Sequence, residues 1–127
     1  MPVDGPIEID GRPEVSSYCW SIVWNVKNDT AITVQGMALA TILDEAGFKE
    51  VDPLKIDIEG AEYELIFRSD DATIRRNRVI AFEYHGRGEH EWADPDGLWN
   101  RLKDLGYRCT RHRPGGWSGV AEFTRKD

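Results

Sequence analysis

Apolar and polar positions alternate with two different periods along this chain, and the change of period outlines its elements. Near the N-terminus, Gly5, Pro6, Gly11 and Pro13 break any long pattern and leave Ile7 and Ile9 as a short edge strand within a loop. Tyr18, Trp20, Ile22, Trp24 and Val26 then alternate with polar neighbours, the period of a strand with one buried face. Asn28-Asp29 signals a turn, and the run 31–34 is a second β-type segment, so residues 18–34 are expected to form a hairpin. Trp20 and Trp24 read as core or subunit contacts rather than as a platform for a ligand.

From Leu39 the period lengthens. Leu39, Ile42, Leu43 and Ala46 follow helical spacing, and Gly47 stands where helices end. Residues 54–58 form a short apolar strand that ends in acids. After Gly60, Ala61, Leu65 and Ile66 mark a helix face running on towards Ile74, with Asp70-Asp71 placed to interrupt or re-cap it. The near-continuous apolar run 79–82 is the pattern of a strand covered on both faces. A polar loop, 86–97, leads to a helix at Leu98, Trp99, Leu102 and Leu105, closed by Gly106. The strands 107–110 and 120–124 flank the turn Arg113-Pro114-Gly115-Gly116. This order predicts an α/β fold: a mostly parallel sheet with flanking helices and an antiparallel C-terminal hairpin.

With 127 residues the chain is expected to be one structural domain, residues 1–36 being an N-terminal loop and hairpin extension and residues 37–127 the α/β body. A net charge of −7 argues against a nucleic-acid partner, and Arg108, Arg111 and Arg113 read as solvated surface. No apolar run is long enough to span a membrane, and the first residues lack the pattern of a signal peptide. Cys19 and Cys109 match no metal or redox spacing and read as reduced, mostly buried thiols, so a cytoplasmic location is the default expectation.

The candidate chemistry lies where two of these strands end. Asp57 and Glu59 alternate with Ile56 and Ile58, and Glu83 and His85 follow the run 79–82. Read as strand residues, the members of each pair share a face. About twenty residues separate the runs, the length of one crossover helix, so the strands are expected to be parallel neighbours with both acidic ends at one rim. Such a set suits binding a hydroxyl and removing its proton. The carboxylates of Asp57, Glu59 and Glu83 equally suit a divalent cation. The structural alternative makes the acids helix caps or partners of Lys55. Glu64 reads as structural, in a helix first turn that favours negative charge, and Glu62 is left open. His90 and His112 belong to no constellation.

The stretch Leu54-Lys55-Ile56-Asp57-Ile58-Glu59-Gly60-Ala61-Glu62 closely resembles the signature segment of the FkbM methyltransferases, which are S-adenosylmethionine-dependent and mostly methylate hydroxyls of sugars and natural products. Residues 34–43 are similar to the family's preceding segment, with Ala40 where an acid often stands. Ile80-Ala81-Phe82-Glu83-Tyr84-His85 is similar to its later strand ending in Glu and His. The resemblance covers roughly residues 30–112. It implies a class I, Rossmann-like fold of which residues 37–127 form the C-terminal half.

In that fold the cofactor is held by a glycine loop and a ribose-binding acid, which in this family precede the signature. The residues before Leu54 offer no strand–glycine loop–helix unit, and Gly86-Arg87-Gly88 lies on the wrong side of the signature. S-adenosylmethionine is therefore not expected to bind this chain alone. The implied function is O-methyl transfer once a cofactor-binding half completes the domain, the alternative being a non-catalytic module for binding or oligomerisation. A sheet cut at that point exposes a strand edge, so a homo-oligomer or a complementing chain is expected.

Overall fold

The computed structural model describes residues 4–12, 16–21, 32–88 and 91–127. Three strands, β1 (Gly5–Arg12), β2 (Ser16–Ser21) and β3 (Ile32–Gly36), form one sheet. The remainder runs α1 (Leu39–Ala46), β4 (Leu54–Ile56), α2 (Glu62–Arg68), α3 (Asp71–Arg75), β5 (Val79–His85), α4 (Pro95–Asp104), β6 (Tyr107–Arg113) and β7 (Ser118–Arg125).

The helix boundaries follow their local chemistry. Gly47 ends α1 at φ 75, a left-handed conformation that glycine adopts without strain, and the N–H groups of Gly47 and Phe48 return to the carbonyls of Asp44 and Leu43. Asp70 re-caps the chain after α2, its carboxylate accepting the Thr73 N–H at 2.8 Å, and α3 begins there. Asp94 does the same for α4 through the Gly97 N–H at 3.0 Å, with Pro95 in the first turn. The start of α1 is tied to the first sheet: the Ala38 N–H and the Thr41 hydroxyl donate to Asp4 at 2.7 and 2.9 Å.

The small sheet has the order β2-β1-β3, antiparallel throughout. Among the described residues, β2 and β3, which hold the two ends of the expected hairpin 18–34, do not pair with each other. Ile7 and Ile9 belong to β1, the central strand, which pairs with β2 on one side and β3 on the other. The turn Asn28-Asp29, the run 22–26 and the side chains of Cys19 and Trp20 lie outside the described residues.

The larger sheet has the order β4-β5-β7-β6. β4 and β5 are parallel neighbours, Lys55 beside Ala81 and Ile56 beside Phe82. The expectation of a mostly parallel sheet fails beyond that pair, and the sheet is mixed. The C-terminal hairpin does not merely edge it: β7 inserts between β5 and β6 and is antiparallel to both.

Both α2 and α4 contact this sheet, and the core lies beneath them. Ile56, Ile66, Ile80, Phe82, Leu98, Leu102, Tyr107 and Phe123 are buried there. Phe82 and Phe123 stack with centroids 5.8 Å apart, and the Trp99 ring meets Phe82, Tyr84, Phe123 and His112. From Val79 to Tyr84 β5 alternates: Ile80, Phe82 and Tyr84 are buried, whereas Val79, Ala81 and Glu83 are only half-buried. The run 79–82 is thus covered on one face, not two. Small residues at 79 and 81 hide the alternation from a hydropathy reading.

Candidate functional site

The strand that carries the acids is shorter than its apolar run. β4 ends at Ile56, and residues 57–61 form a turn closed by the Ala61 N–H on the Ile58 carbonyl at 3.3 Å. Asp57 and Glu59 therefore do not share a strand face by alternation. Glu59 reaches the rim because its backbone is left-handed, φ 51, a conformation that costs an L-residue about 1–2 kcal/mol. Gly60 follows at φ 102, which only glycine adopts readily. Strain of this kind persists where surrounding contacts enforce it.

The enforcing contact is Glu62. Its side chain is fully buried at the start of α2. One carboxylate oxygen accepts the Gly60 N–H at 2.9 Å, fixing the turn. The other accepts both the backbone N–H of His85 and its ring Nδ1–H, each at 2.8 Å. Because a carboxylate only accepts, the proton on this side of the imidazole is on Nδ1, and Nε2 points to Glu59, 3.8 Å away. Burial would raise the Glu62 pKa, but the hydrogen bonds and charge of His85 outweigh it and hold the carboxyl below its ordinary value. Tyr63 completes the bracket, its hydroxyl donating to the His85 carbonyl at 2.6 Å.

Asp57, Glu59 and Glu83 converge in front of this buried pair. Each offers a carboxylate oxygen, and the three atoms lie within 4.8 Å of one another. At that spacing each pair repels by on the order of 1–3 kcal/mol, depending on how much water screens it. Burial, together with the charges of Glu83, Asp57 and Glu62, raises the Glu59 pKa, and His85 opposes the rise. Three oxygen donors so placed could hold a hard divalent cation with water or substrate completing its shell. They could also hold a hydroxyl group and take its proton.

All four expected site residues thus meet at one rim, with different standing. Asp57, Glu59 and Glu83 face the outside, whereas His85 is 3% exposed and sits behind Glu59. Glu62 is the residue the sequence left open. Its place in a helix first turn matched the helix-dipole explanation, and the only sequence signal for its role is the separation from His85 across one strand–helix–strand crossover. His112 packs tilted against Trp99 and meets the Tyr84 hydroxyl through Nε2 at 2.7 Å. His90 lies outside the described residues. Cys109 is an exposed free thiol, not a buried one.

Glycines tell whether a cofactor cradle is present at β5. A Cβ on Gly86 would lie 3.3 Å from the Gly116 carbonyl oxygen, and one on Gly88 only 2.5 Å from it. These glycines admit the β6–β7 turn against the end of β5, with the Gly86 N–H bonded to the Trp117 carbonyl at 2.9 Å. Their open side is filled by backbone, so they do not fit a cofactor.

Comparison with known proteins places this geometry in a family. The model of the methyltransferase FkbM domain matches residues 9–109, reaching further towards the N-terminus than the signature-based resemblance. The AMB antimetabolite synthetase AmbE of Pseudomonas aeruginosa is 29% identical across 66% of this chain. The chain spans about 5% of the length of that relative. No solved structure matches. The family match takes in β4, the acidic turn, Glu62 and β5, all the described elements that build the rim, and the chain belongs to the FkbM methyltransferase domain family.

Proposed function

We propose that this chain supplies the acceptor side of an O-methyltransferase, binding a hydroxyl of a sugar or natural product at the rim of β4 and β5. The observation that carries this reading is the convergence of three carboxylates in front of a buried Glu62–His85 pair. In the family the methyl group comes from S-adenosylmethionine, which makes the acceptor oxygen's attack productive. Gly86 and Gly88 do not fit that cofactor, and the part proposed for the chain is the acceptor side. Either Asp57 or Glu83 accepts the hydroxyl's single hydrogen bond and orients the oxygen until its proton passes to Glu59. Glu59, whose pKa burial and neighbouring acids raise, is the group best matched to take the proton. His85 stands 3.8 Å behind it, with Glu62 fixing the ring.

The cofactor half comes from a complementing chain or a further part of the same protein. β4 forms an edge of the larger sheet, with no partner beyond it among the described residues, and offers the place for added strands. The second reading, a non-catalytic module, is favoured by one observation, the filled glycine pocket at Gly86 and Gly88. The test is transfer of tritiated methyl from S-adenosylmethionine to a panel of sugars and hydroxylated natural products, using the protein in its native assembly. Labelled product supports the enzyme reading. Its absence across the panel, in an assembly that binds the cofactor, favours the module.

A further inference from the structure

The face of the larger sheet opposite α2 and α4 carries a cleft of about 490 Å³, within the size range of small-molecule sites. The strand register arranges its lining in two rows. One crosses from Glu83 on β5 through Val120 on β7 to Arg113 on β6, with Asp57 just beyond the end of β4. The other crosses Lys55, Ala81, Glu122 and Arg111. Ala81 and Val120 form a small apolar part of the floor, Val120 being 45% exposed. Asp57 and Glu83 stand at the rim end with Lys55 beside them, and Arg111 and Arg113 at the other end with Glu122 beside them.

The arginines face the cleft because of a bulge. The register of β6 on β7 shifts between Cys109 and Arg111. A regular continuation from the Cys109–Phe123 pair would set Arg111 opposite Ala121 and Arg113 opposite Gly119, on the helix-covered face. With the shift, Arg111 pairs with Glu122 and Arg113 with Val120 on the open face, and His112, itself exposed, lies against Trp99. Bulges beside functional sites re-aim side chains in this way. Neither arginine has an ion-pair partner within 4.0 Å among the described residues.

We infer that this cleft binds a small hydroxylated carboxylic acid, with the hydroxyl at Asp57 and Glu83, an aliphatic body over Ala81 and Val120, and the carboxylate at Arg111 and Arg113. This rests on the proposed acceptor rim and names its substrate class. A carboxylate fits better than a phosphate dianion, because Asp57, Glu83 and Glu122 balance the three cations and would repel a second negative charge. Glu83 and Arg113 are two inter-strand steps apart, about 10 Å at the backbone, which side chains shorten to the reach of a five-carbon chain.

The test is an amide-resolved NMR titration of the whole chain with 5-hydroxypentanoate, 1,5-pentanediol and inorganic phosphate as probes. The expected result is saturable shifts at Ala81, Val120 and Arg113 with the hydroxy acid. Binding should weaken about tenfold or more for the diol and for the Arg111→Gln/Arg113→Gln variant, as loss of a charge-assisted contact implies. Arg113→Lys should fall between. Absence of saturable shifts, equal affinity of the diol, or equal affinity of the double variant would each overturn the inference. Phosphate binding as tight as the hydroxy acid would overturn the carboxylate assignment, leaving an anion patch only. The titration involves no methyl transfer. Failure here leaves labelled transfer to neutral acceptors intact as support for the enzyme reading, and failure of transfer leaves the titration intact.

Discussion

The two faces of β5 are built from alternate residues of one strand and do different work. Ile80, Phe82 and Tyr84 point under the helices and are buried. Ala81 and Glu83, one residue along, point to an open face bearing charges of both signs. The covered face gives the fold its stability, and the open face can therefore carry groups that repel each other. The join between them is the Glu62–His85 pair, a buried polar contact that holds the strained turn on which Glu59 sits.

Substitutions on the two faces should separate most widely. Phe82→Ala removes a ring stacked on Phe123 and is expected to cost about 3–5 kcal/mol in chemical denaturation. Val120→Ala on the open face should cost within about 0.5 kcal/mol. Comparable losses at both positions would mean that the open face is covered in solution.

Glu62 should come next. Glu62→Ala leaves the Gly60 N–H and both His85 donors without their acceptor, an expected loss of about 2–3 kcal/mol. A pH dependence accompanies it. The folded-state pKa of Glu62 lies below its unfolded value, so its contribution is present above the ordinary glutamate range and is lost as pH falls through the depressed value. Glu59 has the opposite sign: its raised pKa favours the fold at low pH, and that contribution disappears as pH rises through the folded value. Urea midpoints across pH should therefore show Glu62→Gln with a weakened acid-side dependence and Glu59→Gln with a flatter profile above the ordinary range. Identical profiles for both variants would contradict the assignment.

Assembly is a smaller and separable effect. The β4 edge should draw the chain into a homo-oligomer or onto a partner, and light scattering at micromolar concentration tests this. A monomer that stays a monomer when co-purified chains are present would remove the edge from the account.

Much of this was legible in the sequence where one residue suffices to set local geometry. Gly47, Asp70 and Gly106 mark helix ends through backbone conformation or a single cap. That Asp57, Glu83 and His85 meet at one rim follows from two short runs and one crossover length, whereas Glu59 reaches it through a left-handed turn that alternation does not foresee. What stayed hidden depends on pairing between distant residues. The bulge that turns Arg111 outward is a register shift against β7, without a glycine to mark it. The burial of Glu62 is created by β5 closing over α2, so its charge looked like an ordinary first-turn acid. β1 lies between β2 and β3, a pairing that no local turn in the sequence announces.

The most direct measurement is labelled methyl transfer by Asp57→Asn, set beside its melting temperature and that of the parent. Asp57 is exposed and contributes to the carboxylate crowding, so neutralising it should leave the fold unchanged or raise the melting point slightly. Transfer to the hydroxyl acceptor should fall by about a hundredfold or more, as loss of a group that orients the attacking oxygen implies. Full activity in the variant would contradict the acceptor rim, and so would a melting point several degrees lower, which would make Asp57 a structural residue.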